Sequence, residues 1–257
     1  MVAVNRTQIK AEAKRLIKTA QVPALAFTAL YLVLTLVLDT ISNITTGDAP
    51  VIWEAGLLPV FVFLLIMLVE TVLHAGYVLY CLGIRRGERL SYLSLFDGFS
   101  LAGKVVMLSI LEYFFVMLWS MLFVVPGIIA LYRYRFALYN LCENPALSPQ
   151  EALNQSKAQT NGYKLPLFVL DLSFFGWMML TTLPYAVVDA MLLQGIEIPL
   201  STPVLTLALG LFTGIFNIFV QPYFTLADLG YFDAAKHSSG VGVLPGGDNM
   251  LPPADTF

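Results

Sequence analysis

Apolar residues in this chain gather into long runs instead of the one-sided patterns of a soluble fold. The runs cover 22–39, 57–82, 104–126, 127–142, 165–189 and 203–227. A helix of about 20 apolar residues crosses the hydrocarbon core of a bilayer, and a helix satisfies every backbone polar group internally there. The pattern therefore predicts an all-α, polytopic transmembrane helix bundle of about six spans, joined by short amphipathic interfacial helices. The segment 127–142 is the short one, roughly 24 Å as a helix, and it contains Arg133 and Arg135. It is read as a short buried span, with a re-entrant segment as the alternative.

Between the runs the polar pattern changes. In 5–20, Ile9, Ala13, Leu16, Ile17 and Ala20 recur at helical spacing with lysines opposite, which predicts an amphipathic helix lying on the inner membrane surface. Pro23 sits where the first turn of the next helix accepts a proline. Leu90, Leu93, Phe96 and Phe99 recur every three residues and predict a second interfacial helix over 88–99. Pro126-Gly127 marks a tight turn, placing a hairpin of the third and fourth runs at the outer face. Ser148-Pro149 followed by Glu151 is a helix start, giving a polar cytoplasmic helix over 146–160. The Gly- and Pro-rich residues 237–257 read as a disordered tail. The division is thus 1–20, a membrane domain 21–236, and the tail.

Charge then orients the bundle. Arg6, Lys10, Lys14, Arg15 and Lys18 precede the first run; Arg85, Arg86, Arg89 and Lys104 separate the second from the third. Lys157 and Lys164 separate the fourth from the fifth, and Lys236 follows the sixth. The connectors 40–56 and 190–202 carry Asp48, Glu54 and Glu197 and no basic residue. Basic residues in short loops stay cytoplasmic, so both ends are expected inside a plasma membrane. Anionic lipid headgroups are the expected neighbours of Arg85, Arg86 and Arg89. The first run is too long for the apolar core of a cleavable signal peptide.

Composition excludes several function classes. The chain is 58% hydrophobic and 12% charged, outside the soluble range. Its basic clusters are short and lack interleaved aromatic motifs, so nucleic-acid binding is not expected. Cys81 and Cys142 form no Cys-x-x-Cys or Cys/His cluster, so neither a disulfide framework nor a zinc site is expected. The Gly-x-Ser-x-Gly elbow, the P-loop and the His-Glu-x-x-His motif are all missing. No cofactor is expected.

Ionisable groups inside a bilayer are costly, and each is a candidate for function. These are Glu70 and His74 in the second run, Glu112 in the third, Arg133 and Arg135 in the fourth, and Asp171 in the fifth. Asn140, Asn217 and Gln221 add neutral polar groups. Glu70 and His74, four apart, share a helical face, a geometry for a proton relay. Arg133 and Arg135 are expected to pair with Glu112, Asp171 or Glu70, and Glu112 on the hairpin partner is the favoured mate. The competing reading is a polar cavity for an anionic or zwitterionic substrate.

Several strings resemble a bacterial integral membrane protein family, catalogued as domain of unknown function 975. They are Arg6-x-x-Ile9-Lys10-x-x-Ala13-Lys14, RGERLSYLSLFDGF (86–99), LWSMLFVVPGIIALYRY (118–134), ENPALSPQEALNQS (143–156), LFVLDLSFFGW (167–177) and Gln221-Pro222-Tyr223. The resemblance implies a polytopic membrane protein and no particular reaction. Ala130 stands where the family pattern often has Lys, and the small hydroxyl residues expected near Arg133 and Arg135 are absent. The expected function is a non-enzymatic permease-like or partner-binding envelope module, with residues 146–160 as the candidate partner surface. The alternative is an intramembrane enzyme acting on a lipid-linked substrate.

Overall fold

The computed structural model describes residues 5–46, 56–196 and 198–242, apart from the side chains at 202 and 203. The polar connector 47–55 and the tail beyond 242 lie outside these residues. Among the described residues nine α-helices and one 3-10 helix follow in order: α1 Arg6–Thr19, α2 Ala24–Thr46, α3 Leu57–Arg86, the 3-10 helix Tyr92–Leu101, α4 Ala102–Leu122, α5 Val124–Tyr134, α6 Ala137–Glu143, α7 Pro149–Gln159, α8 Lys164–Leu193 and α9 Thr202–Ser239. The fold class is all-α. Among the described residues five helices are long and apolar enough to cross a membrane: α2, α3, the 3-10 helix with α4, α8, and α9. The chain is a multi-pass membrane protein.

The sixth predicted span is where the structure departs from the sequence pattern. Residues 127–142 do not form one helix. They belong to α5 and α6, an eleven-residue and a seven-residue helix with a break at Arg135–Phe136. The run has no Gly or Pro between Ile128 and Cys142, so no local breaker signal marks the break. Its cause is the pair of tertiary bonds described below. The last helix runs on to Ser239, three residues past the predicted end of the membrane domain.

The well-packed core lies towards one end of the bundle. On α3 it takes in Val72 through Ile84, whereas Leu57, Leu58, Phe61, Leu64 and Leu65 are exposed. On α8 it holds Leu167, Leu170 and Phe174; on α9 it holds Leu226 through Ala235. An aromatic stack between α2 and α3 belongs to it, with the Phe27 and Tyr80 rings 3.6 Å apart and the Tyr31 and Tyr77 rings 4.9 Å apart. The exposed remainder of the long helices is almost wholly aliphatic and aromatic, the surface expected of helices that face lipid.

Helix α1 packs by the face the sequence assigned to it. Ala13 is fully buried, and Ile9, Leu16, Ile17 and Ala20 pack against the core. Arg6, Lys14, Arg15 and Lys18 are exposed. Ile9 sits over Gly230 of α9, so both described ends of the chain meet at the same end of the bundle. Ion pairs fasten this end. Arg85 pairs with Asp233 at 2.6 Å and reaches Glu12 at 3.7 Å; Arg86 pairs with Glu143 at 2.9 Å, and Lys236 pairs with the same Glu143. Arg85 and Arg86, expected beside lipid headgroups, are thus tied to carboxylates of the protein. Arg89 is exposed and outside these pairs.

The three-residue repeat of 88–99 is a true local signal. It produces a 3-10 helix, whose side chains at i and i+3 eclipse, opened by a Ser91–Ser94 capping box. Leu93, Phe96 and Phe99 form its exposed side, as the repeat predicts. The opposite side packs closely along α3. Gly76 and Gly98 let the two backbones touch: a Cβ at Gly76 would overlap the Leu95 carbonyl, and one at Gly98 would overlap the Val72 carbonyl.

Gly76→Ala therefore cannot be absorbed by a rotamer change and should cost at least the about 1–3 kcal/mol typical of overpacking. Gly103→Ala, with nothing within 4 Å, should change stability by no more than about 0.5 kcal/mol. Thermal melts of the two purified variants check the contrast.

Candidate functional site

The break between α5 and α6 would leave backbone groups unpaired in an apolar setting, which is costly. Helix α7 supplies their partners. The Ser156 hydroxyl accepts from Phe136 N–H at 3.1 Å and donates to the Arg133 carbonyl at 2.8 Å. The Thr160 hydroxyl stands 3.3 Å from the same carbonyl and donates to the Ser156 carbonyl at 2.8 Å. Asn140 and Gln159 exchange amide bonds at 2.8 Å in both directions, and Gln159 also donates to the Val241 carbonyl. Ser156, Gln159 and Thr160 are fully buried. The predicted cytoplasmic helix of 146–160 is therefore half interior: its outward face is Gln150, Glu151, Asn154 and Ala158. Its start is closed by a reciprocal cap, with Glu151 accepting from the Ser148 N–H at 2.8 Å and the Ser148 hydroxyl at 2.7 Å.

Breaking the helix aims Arg135 inward. Its Nη1 and Nη2 grip both oxygens of Asp171 on α8 at 2.7 and 2.8 Å, and its Nε donates to Asp228 of α9 at 2.9 Å. The Tyr132 hydroxyl donates to Asp171 at 2.7 Å, and the Tyr139 hydroxyl to Asp228 at 2.8 Å. The guanidinium also lies 5.7 Å from the Tyr132 ring centre and 5.5 Å from that of Phe224. Asp228 is 3% exposed at its side chain. Bidentate, charge-assisted bonds of this kind are about twice as strong as neutral ones. Three nitrogens and four carboxylate oxygens are thus all engaged inside the chain.

The structure brings together only two of the six residues singled out from sequence, Arg135 and Asp171. Arg133 contributes its carbonyl, and its side chain joins no ion pair among the described residues. Glu112 is half-buried and likewise enters no ion pair there; the expected Glu112–Arg135 pair is replaced by Asp171 and Asp228, which lie on the helices that α5 and α6 meet. Glu70 turns towards Asp39 of α2, in a group that includes Tyr31 and Gln221. One Glu70 oxygen, Oε1, is buried with no hydrogen-bond partner. His74 is exposed and no hydrogen bond joins it to Glu70. Asp228 was missed because the apolar run was ended at Ala227. Its helical neighbours Phe224, Thr225, Tyr231 and Phe232 have no charge, and such a lone Asp is the readable sign of a buried partner.

The fold and this closed cluster define a class: a helical membrane protein braced by a buried arginine–carboxylate clamp. Residues 122–239 match the family model described as Protein of unknown function (DUF975), which bears out the resemblance for the strings within that stretch; those at 6–14 and 86–99 lie outside it. The matched stretch runs from the α4–α5 turn to the end of α9 and so holds the whole clamp. Neither a curated protein nor a solved structure matches the chain.

Arg135→Ala leaves Asp228 buried without its counter-ion and should destabilise by on the order of 3–5 kcal/mol. Adding Asp228→Asn should cost far less than the sum of the two single changes, whereas Glu112→Gln should add independently. Melting temperatures of the two double-mutant cycles check this; coupling to Glu112 and none to Asp228 would contradict the clamp. A second expectation concerns pH. The Ser148 N–H and hydroxyl hold the Glu151 carboxyl below its ordinary value, so its stabilising effect is present above the unfolded-state pKa and is lost as pH falls through the lower folded one. Glu151→Gln should remove that part of the acid destabilisation, read as a smaller drop in melting temperature between neutral and acidic buffer.

Proposed function

We propose that the protein is a non-enzymatic module of a bacterial plasma membrane, with both ends on the cytoplasmic side, that works by presenting a braced surface to a partner. One observation carries this reading: each of the three Arg135 nitrogens is already bonded to a carboxylate of the chain, so the arginine is committed to bracing the bundle and not to gripping an anionic substrate. The positive charge of the loops supports the orientation, and the outward face of α7 (Gln150, Glu151, Asn154, Ala158) supports a partner surface, since it is polar, rigidly seated and on the charged end of the bundle. The exposed basic side of α1 and Arg89 fit an anionic lipid surface.

A permease-like reading is favoured by a different observation, the Asp39–Glu70 pair with its unpartnered Oε1. Two facing carboxyls of adjacent spans can share a proton, as relays in transporters do. Proteoliposomes under an imposed pH gradient, carrying wild type or Glu70→Gln, separate the readings. No flux above empty liposomes, with a discrete adduct from a photo-crosslinker at Asn154 in cells, is the expected result. A proton flux abolished by Glu70→Gln would replace the module reading with the permease-like one.

A further inference from the structure

The turn between α4 and α5 is unlike the turns at the far ends of the other helices. Leu122, Phe123, Val124 and Val125 are 60%, 70%, 74% and 66% exposed, and no polar side chain lies between Ser120 and Tyr132. The connectors 40–56 and 190–202 by contrast both carry charged and polar residues, including Asp48, Glu54, Gln194 and Glu197. A turn standing in water would expose a solid apolar tip; a turn standing in hydrocarbon would not.

Chain lengths measured from the clamp show how far the tip reaches. Arg135 is bonded to Asp171 and Asp228, so these three residues share a level. At about 1.5 Å per residue, Phe123 stands roughly 18 Å beyond Arg135. Leu193 stands roughly 33 Å beyond Asp171, and Thr202 roughly 39 Å beyond Asp228. The tip thus stops roughly 15–20 Å short of the far ends of α8 and α9.

Helix α1 marks the near boundary of the hydrocarbon. Lys10 donates to Ser173 at 2.8 Å and lies over the Phe174 ring, and Lys14 lies over the Tyr223 ring. From Phe174 to Leu193, and from Tyr223 to Thr202, each helix is about 30 Å long, one hydrocarbon core. Lys157, over the rings of Phe115 and Tyr134, sets a charge at the base of the hairpin in the same way. The first turns of α4 are used in the core below, where Val105 and Leu108 are buried and Lys104 donates to the Pro145 and Leu147 carbonyls. The length of α4 would let it cross a membrane, but where its tip stands decides that it does not.

We propose that the α4–α5 hairpin is a re-entrant wedge whose partner is the acyl chains of the leaflet on the α1 side. The chain then crosses the bilayer four times, through α2, α3, α8 and α9. Lys104, Lys157 and Lys164 stay on the side of α1, in keeping with the basic-loop rule. The wedge fills the leaflet beside the clamp, so lipid packing in that leaflet bears directly on the element that Arg135 holds.

The test uses the full chain with Cys81 and Cys142 replaced by Ala and a single cysteine at Val125, an exposed site whose substitution leaves the packing intact. In whole cells an impermeant thiol reagent should label a cysteine at Thr46 or Gln194 and leave Val125 at background. A nitroxide at Val125, in vesicles of phosphatidylcholine and phosphatidylglycerol, should be relaxed by oxygen and not by a water-soluble nickel chelate, at a depth near the middle of the bilayer. Labelling of Val125 from outside, or relaxation by nickel, would place the tip in water and overturn the wedge. Shielding from both oxygen and nickel would place it against protein and overturn the lipid partner. A cysteine at Val124 must give the same answer, and melting temperatures equal to the parent show that each variant is folded.

Discussion

An arginine in an apolar interior has to be paired, and the architecture of this protein follows from how Arg135 is paired. Its planar fork meets Asp171 edge-on and leaves Nε for Asp228, so one side chain joins the α5–α6 segment to α8 and α9 at once. Lysine could not do this, having a point charge in place of a fork. Tyr132 and Tyr139 donate to the carboxylates from either side of the break, which spreads the excess negative charge of two aspartates facing one guanidinium. The clamp is costly to bury and more costly to break, so it confers a particular arrangement of helices more than it confers stability.

The clamp sits at the helix break, and α7 supplies the partners that hold the break. A continuous helix through 124–143 would carry Tyr132, Arg135 and Tyr139 along one regular surface. Interrupting it at Arg135–Phe136 frees an N–H and a carbonyl, and the buried Ser156 hydroxyl of α7 takes up both. The Asn140–Gln159 amide pair then fixes α6 on α7, and Gln159 ties in the chain beyond α9. Polar residues that look like a solvated helix in sequence are here the interior capping set of another helix. The packed end of the bundle gathers α1, α6, α7 and the ion pairs of Arg85 and Arg86 beside the exposed apolar lengths of α2, α3, α8 and α9.

Much of this was readable in advance. The apolar runs announced the long helices, because hydropathy over 20 residues is a bulk property that tertiary contacts do not alter. The packed face of α1 was named residue by residue, since a helix with one apolar stripe has one way to bury it. The Ser148–Glu151 cap and the three-residue repeat at 90–99 were equally local signals. Arg135 and Asp171 were legible as costly charges, but their pairing was not: Asp171 lies 36 residues away, and Asp228 was hidden by its place at the end of an apolar run.

The sequence by itself thus determined which segments are helical, which are apolar enough for a bilayer and which side carries the basic charge. Only the tertiary structure decided that 127–142 is broken, that the 3-10 helix lies along α3 through Gly76 and Gly98, that α7 faces inward, and that Asp228 completes the clamp. The physical reason is the range of the interactions. Burial pattern, capping and charge bias act over a few residues and leave a mark in the order of the chain. The pairing of a guanidinium with two carboxylates, or of a hydroxyl with a freed carbonyl, acts across space between segments whose approach no local pattern records.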